Sequence, residues 1–138
     1  MPLDEAPKLV SMMGAIERAV IAELYARLEG AGFTGLSHES AAIFQFIRPG
    51  GSPVEEIARL AQATPEAVAE QVRLLAAAGY ATASAGQVSL TDRGRAAAEA
   101  GLAALDEIEA GWRRALGGEG FGALAAGLAR LNLRPIPG

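Results

Sequence analysis

A chain of 138 residues is long enough for one domain with a hydrophobic core and too short for two ordinary ones. Apolar residues make up 51% but aromatics only 5%, so the chain is built of Ala, Leu and Gly, which suits closely packed helices. Zero cysteines exclude a disulfide framework and thiolate chemistry, and with no bilayer-length apolar segment and no signal peptide in Met1-Pro2-Leu3-Asp4-Glu5 they predict a cytoplasmic protein without membrane contact.

The first periodic stretch runs from Leu9 to Leu28, where Leu9, Met13, Ile16, Val20, Leu24 and Leu28 recur at helical steps and Met12, Ile21 and Tyr25 widen the stripe. So broad a stripe on a terminal helix predicts burial against its own domain and a partner. Gly30, Gly32 and Gly35 break the chain, and Ser37 is the expected N-cap of a helix reaching about Ile47 before Pro49-Gly50-Gly51. Ser52 then caps a short helix with Pro53 at its first position and Glu55 closing a capping box. Thr64 and Pro65 open a second helix that Ala78-Gly79 close. Tyr80-Ala81-Thr82-Ala83 and Gln87-Val88-Ser89-Leu90 are short strands around the turn Ser84-Ala85-Gly86. Thr91 caps a long helix to about Leu116, striped by Leu102, Leu105, Ile108, Trp112 and Leu116. Gly117-Gly118 and Gly120 interrupt it, and a last helix runs from about Phe121 to Leu131, ahead of Pro135 and Pro137.

Two short helices followed by a two-stranded ribbon make a winged helix-turn-helix. The order of a long helix, Gly35-Leu36-Ser37, the helix pair, Ala78-Gly79-Tyr80, a wing, Leu90-Thr91-Asp92-Arg93-Gly94-Arg95 and a long Ala/Leu-rich helix resembles the MarR family of winged-helix regulators over nearly the whole chain. The resemblance implies a mainly α fold and one domain over 1–138. Residues 9–30 and 96–133 would be its dimerisation helices and 36–95 its winged-helix part, within a homodimer.

Family members commonly bind aromatic or otherwise apolar ligands between the first, second and fifth helices. Where a bulky aromatic often follows the polar start of the second helix, this chain has Ala41 and Ala42, which would leave room for a ligand unless Phe44 and Phe46 fill it. His38, the only histidine, is either a solvated first-turn residue whose imidazolium the helix dipole disfavours or a neutral general base beside such a cavity. Glu39 would be its orienting or alternative carboxylate, Tyr25 a hydrogen-bond donor, and Arg48 or Arg18 an anion anchor. Trp112 would be either an apolar wall or an anchor of the dimer interface. A single histidine with scattered carboxylates has no metal-ligand spacing, and no nucleotide-binding loop or cofactor motif occurs.

In the family the second helix of the pair enters the major groove. The expected contact positions here are Thr64, Pro65, Glu66, Ala67, Ala69 and Glu70. Proline offers no donor, and Glu66 and Glu70 meet phosphate with like charge. The remaining DNA-binding candidates are Thr64, Gln71, Arg73 and Arg93. The wing, Thr82-Ala83-Ser84-Ala85-Gly86-Gln87, carries no charge, and from Gly50 to Arg95 four arginines face five carboxylates. Non-specific affinity comes mainly from cation–phosphate pairing, so DNA binding is in doubt. The favoured expectation is a MarR-like homodimer with an eroded reading surface. It is repurposed to bind a small apolar or aromatic, polyketide-like compound, or to act on it by cofactor-independent acid–base catalysis as a cyclase, dehydratase or isomerase. The alternative is a ligand-responsive regulator on a palindromic operator.

Overall fold

The apolar stripe near the start does form one helix, α1 (Leu9–Gly30). The computed structural model describes residues 8–132, apart from the side chain of Ala41. Among the α1 side chains only Leu28 is buried within this chain, while Leu9 is 75% and Ile16 50% exposed. The helix is thus amphipathic in sequence, yet most of its apolar face is left bare within this chain.

The Ser37 cap is present and reciprocal. Ser40 N–H donates to Ser37 Oγ at 3.1 Å and Ser37 N–H to Ser40 Oγ at 2.9 Å, a capping box closed by serine instead of glutamate. The helix it starts is α2 (His38–Ala42), shorter than the expected run to Ile47; a 3-10 turn at Phe44–Phe46 replaces its second half. That turn lets Ile43 and Ile47 both enter the core, with Phe44 and Phe46 packed against it.

The predicted Ser52 cap is a correction. Ser52 and Pro53 form β1, paired antiparallel with β3 (Gln87–Leu90), and α3 (Val54–Ala61) begins after them with no side-chain cap. Ser52 is fully buried and uses its hydroxyl inward, accepting from Arg48 N–H at 2.9 Å and donating to the Phe46 carbonyl at 3.3 Å. A serine already serving that loop cannot also hold a helix N-terminus.

Helix α4 (Pro65–Ala77) starts as expected, with Thr64 Oγ1 accepting from Ala67 N–H at 3.1 Å and Pro65 in the first turn. Val68, Val72 and Leu75 turn into the core with Ile57 and Ala58 of α3. Strand β2 (Ala81–Ser84) and β3 close through Ala85 and Gly86, and the sheet order β1-β3-β2 leaves β2 at the edge. Mostly helical, with a small antiparallel sheet, the chain is a winged helix-turn-helix.

The final helix, α5 (Asp92–Asn132), is capped by Thr91, whose Oγ1 accepts from Gly94 N–H at 3.0 Å. Its backbone is non-helical at Gly117 alone (φ 78°, ψ 160°), so the interruption expected over Gly117–Gly120 is a single-residue break. Across it the Arg113 guanidinium lies 4.4 Å from the Phe121 ring centroid, a contact that an eight-residue separation on a straight helix would not give. The chain divides into two compact units, the first ending at Leu102 and the second beginning at Ala103. No helix among the described residues is long and apolar enough to cross a membrane.

Candidate ligand junction and DNA-reading surface

Around the loop between α1 and α2, three side chains distant in sequence converge on backbone carbonyls. Tyr25 of α1 donates from its hydroxyl to the Ser37 carbonyl at 3.2 Å. Tyr80, fully buried between α4 and β2, donates to the Thr34 carbonyl at 2.5 Å. Arg93 at the start of α5 donates to the Gly32 carbonyl at 3.2 Å and to the Tyr80 hydroxyl at 3.1 Å. The Arg93 guanidinium also lies 4.7 Å from the Tyr80 ring centroid and 5.7 Å from that of Phe33, a cation–π arrangement that orders the loop from both sides. Burial, and secondarily the Glu39 carboxylate, push the Tyr25 hydroxyl above its ordinary pKa, so it stays a donor at neutral pH.

Of the residues proposed for a ligand site, Tyr25 and Glu39 therefore share one neighbourhood. His38 and Glu39 are exposed, and the His38 side chain makes no hydrogen bond to any described residue. Phe44 is half-buried with its ring edge-on to Tyr80 at 6.1 Å, which favours its core role over an open space. Arg48 forms an ion pair with Glu56. Arg18 is exposed on α1, Trp112 belongs to the second unit, and the side chain of Ala41 falls outside the described residues. Among the described residues no three His, Cys, Asp or Glu side chains cluster as a metal site.

On the winged-helix side, each DNA-binding candidate is already engaged or enclosed. Thr64 Oγ1 serves as the α4 cap. Gln71 is half-buried, with its Oε1 enclosed and accepting from no described residue. Arg93 braces the loop, and Arg95 pairs with Asp92 while donating to the Leu90 carbonyl at 3.0 Å. Arg73 is fastened to Glu70 by two hydrogen bonds, Nε to Oε2 at 3.1 Å and Nη2 to Oε1 at 2.6 Å. Those bonds, reinforced by the charge, hold the Glu70 carboxyl below the usual carboxylate range. Sequence reasoning missed the roles of Tyr80 and Ser40. Their signals were a tyrosine directly after a helix-ending glycine and a serine just inside a helix start, which local templates do not separate from surface positions.

No family model and no curated protein matches the sequence. Solved structures do. The MarR family protein Rv2887 of Mycobacterium tuberculosis, in complex with DNA, is 26% identical over 92% of this chain and 98% of its own, with a TM-score of 0.70. A probable transcriptional regulator from Pseudomonas aeruginosa is 29% identical over 90% of this chain and 99% of its own, with a TM-score of 0.60. The transcriptional repressor CouR, bound to p-coumaroyl-CoA, is 20% identical over 93% of this chain and 94% of its own, with a TM-score of 0.70. With helix order, wing and the Leu90-to-Arg95 cap all in place, the chain has the MarR-like winged helix-turn-helix fold.

Proposed function

We propose that this chain is a cytoplasmic, homodimeric, ligand-responsive transcriptional regulator of MarR type, with an intrinsically weak grip on DNA and a small apolar or aromatic effector. The observation that carries the reading is the shared loop. Tyr25 holds it at Ser37, while Tyr80 and Arg93, at the base of the wing, hold it at Thr34 and Gly32. A ligand that takes the Tyr25 hydroxyl for itself loosens one end of a segment whose other end is tied to the wing. A differential interaction of this kind is what a ligand needs to shift a conformational equilibrium. Similar proteins solved with DNA and with p-coumaroyl-CoA support the two halves of the reading.

A second reading, ligand binding without DNA, is favoured by the paired arginines and the uncharged wing. Catalysis is not part of the proposal. One titration separates the readings. Labelled duplex DNA is titrated with protein at low and moderate salt, alone and with planar aromatic compounds that raise the protein's melting temperature. Salt-sensitive binding that such a compound relieves, with the relief reduced several-fold in Tyr25→Phe, supports the regulator. Thermal stabilisation by the compounds with no DNA binding at low salt selects the second reading instead.

A further inference from the structure

The exposed face of α4 carries Glu66, Glu70 and Arg73 at helical spacing of four and three, so two carboxylates and one guanidinium form a single stripe. Arg73 is the only cation of the helix. Both its Nε and its Nη2 are committed to Glu70, and the side chains are 66% and 54% exposed, so the pair sits on the surface without packing to lock it. A guanidinium binds a phosphate with the same two-pronged donor edge that it offers a carboxylate. Glu70 therefore occupies the edge by which Arg73 would grip DNA.

We infer that Glu70 is a built-in brake on DNA affinity, masking Arg73 from duplex phosphates. The inference rests on the DNA-binding reading above. The mask acts through the guanidinium, beyond the repulsion any carboxylate exerts on a phosphate. An exposed pair of this kind is weak, so the brake limits affinity without abolishing it.

The test is a double-mutant cycle read by DNA affinity. Wild type, Glu70→Gln, Arg73→Gln and the double variant are titrated against a fluorescein-labelled duplex of mixed sequence across a series of salt concentrations, after circular dichroism confirms equal melting temperatures. Glu70→Gln is expected to bind roughly three- to tenfold more tightly at low salt and to steepen the log–log salt dependence by about one phosphate contact. In the Arg73→Gln background, the same replacement should give less than half that gain and leave the slope unchanged. Equal gains in both backgrounds would overturn the inference, since Glu70 would then act by its charge alone. Measurable wild-type binding with no gain in Glu70→Gln overturns it too, while leaving the regulator reading intact. If neither wild type nor Glu70→Gln binds the duplex at low salt, both fall.

Discussion

The Tyr80 hydroxyl reaches across 46 residues of sequence to donate to the Thr34 carbonyl at 2.5 Å, and the same oxygen accepts from Arg93. One buried phenol thus joins the segment that follows α4, the start of α5 and the loop ahead of α2. Removing only the oxygen, as in Tyr80→Phe, keeps the ring in the core and strands the Thr34 carbonyl and one Arg93 donor. The expected cost is about 1–2 kcal/mol in urea denaturation. A variant as stable as wild type would show that the hydroxyl is not a structural tie.

Gly94 is required by distance. A Cβ built on it would lie 1.9 Å from the Tyr80 carbonyl oxygen and 3.3 Å from Leu90 Cβ. The first turn of α5 packs directly on the backbone that leaves α4, and backbone has little freedom to yield. Gly94→Ala should lose roughly 3 kcal/mol or more, or fail to accumulate as folded protein. Gly101→Ala, on the same helix with open space at its Cβ, is the control and should be neutral or slightly stabilising.

This glycine also marks how much of the fold is legible in the sequence. The Leu90-Thr91-Asp92-Arg93-Gly94-Arg95 stretch identifies the fold because nearly every member acts on backbone or on a neighbour. Thr91 caps, Asp92 pairs with Arg95, Arg93 braces a distant loop, and Gly94 permits the close approach. Helix periods, the Thr64 cap and the hairpin are legible because their signals are local. The engagement of Arg93 by Gly32 and Tyr80 is not, since its partners lie 61 and 13 residues away. For the same reason the sequence predicts too long an α2, because the 3-10 turn follows from packing Ile43 and Ile47 together in the core rather than from any breaker residue.

Tyr25 makes a pH prediction. Its folded pKa is raised, so above its ordinary value near 10 the unfolded chain releases this proton before the folded one does. Folding is then linked to retaining the proton, and the contribution of Tyr25 to stability, present in full below that value, is lost as pH rises through the folded pKa. Urea midpoints measured from pH 8 upward should fall in the alkaline range less steeply for Tyr25→Phe than for wild type. Glu39→Gln should lie between them, because Glu39 supplies the smaller part of the shift. Parallel curves for all three proteins would show that the Tyr25 hydroxyl is not held as described.

Ser52 and Glu55 distinguish the local reading of this segment from the folded one. A capping box makes the two side chains mutually dependent, each replacement costing about 1 kcal/mol and the pair coupled. In the fold Ser52 lies in β1 and bonds Arg48 N–H and the Phe46 carbonyl, while Glu55 is exposed in the first turn of α3. Ser52→Ala therefore leaves two part-buried backbone groups without their partner and should cost about 1–2 kcal/mol. Glu55→Ala loses only a favourable charge at a helix start, no more than about 1 kcal/mol and diminishing with salt. The double variant should show the sum of the two, because no contact links them. A coupling of about 1 kcal/mol would return Ser52 to the helix cap and detach it from the loop that ends at Arg48.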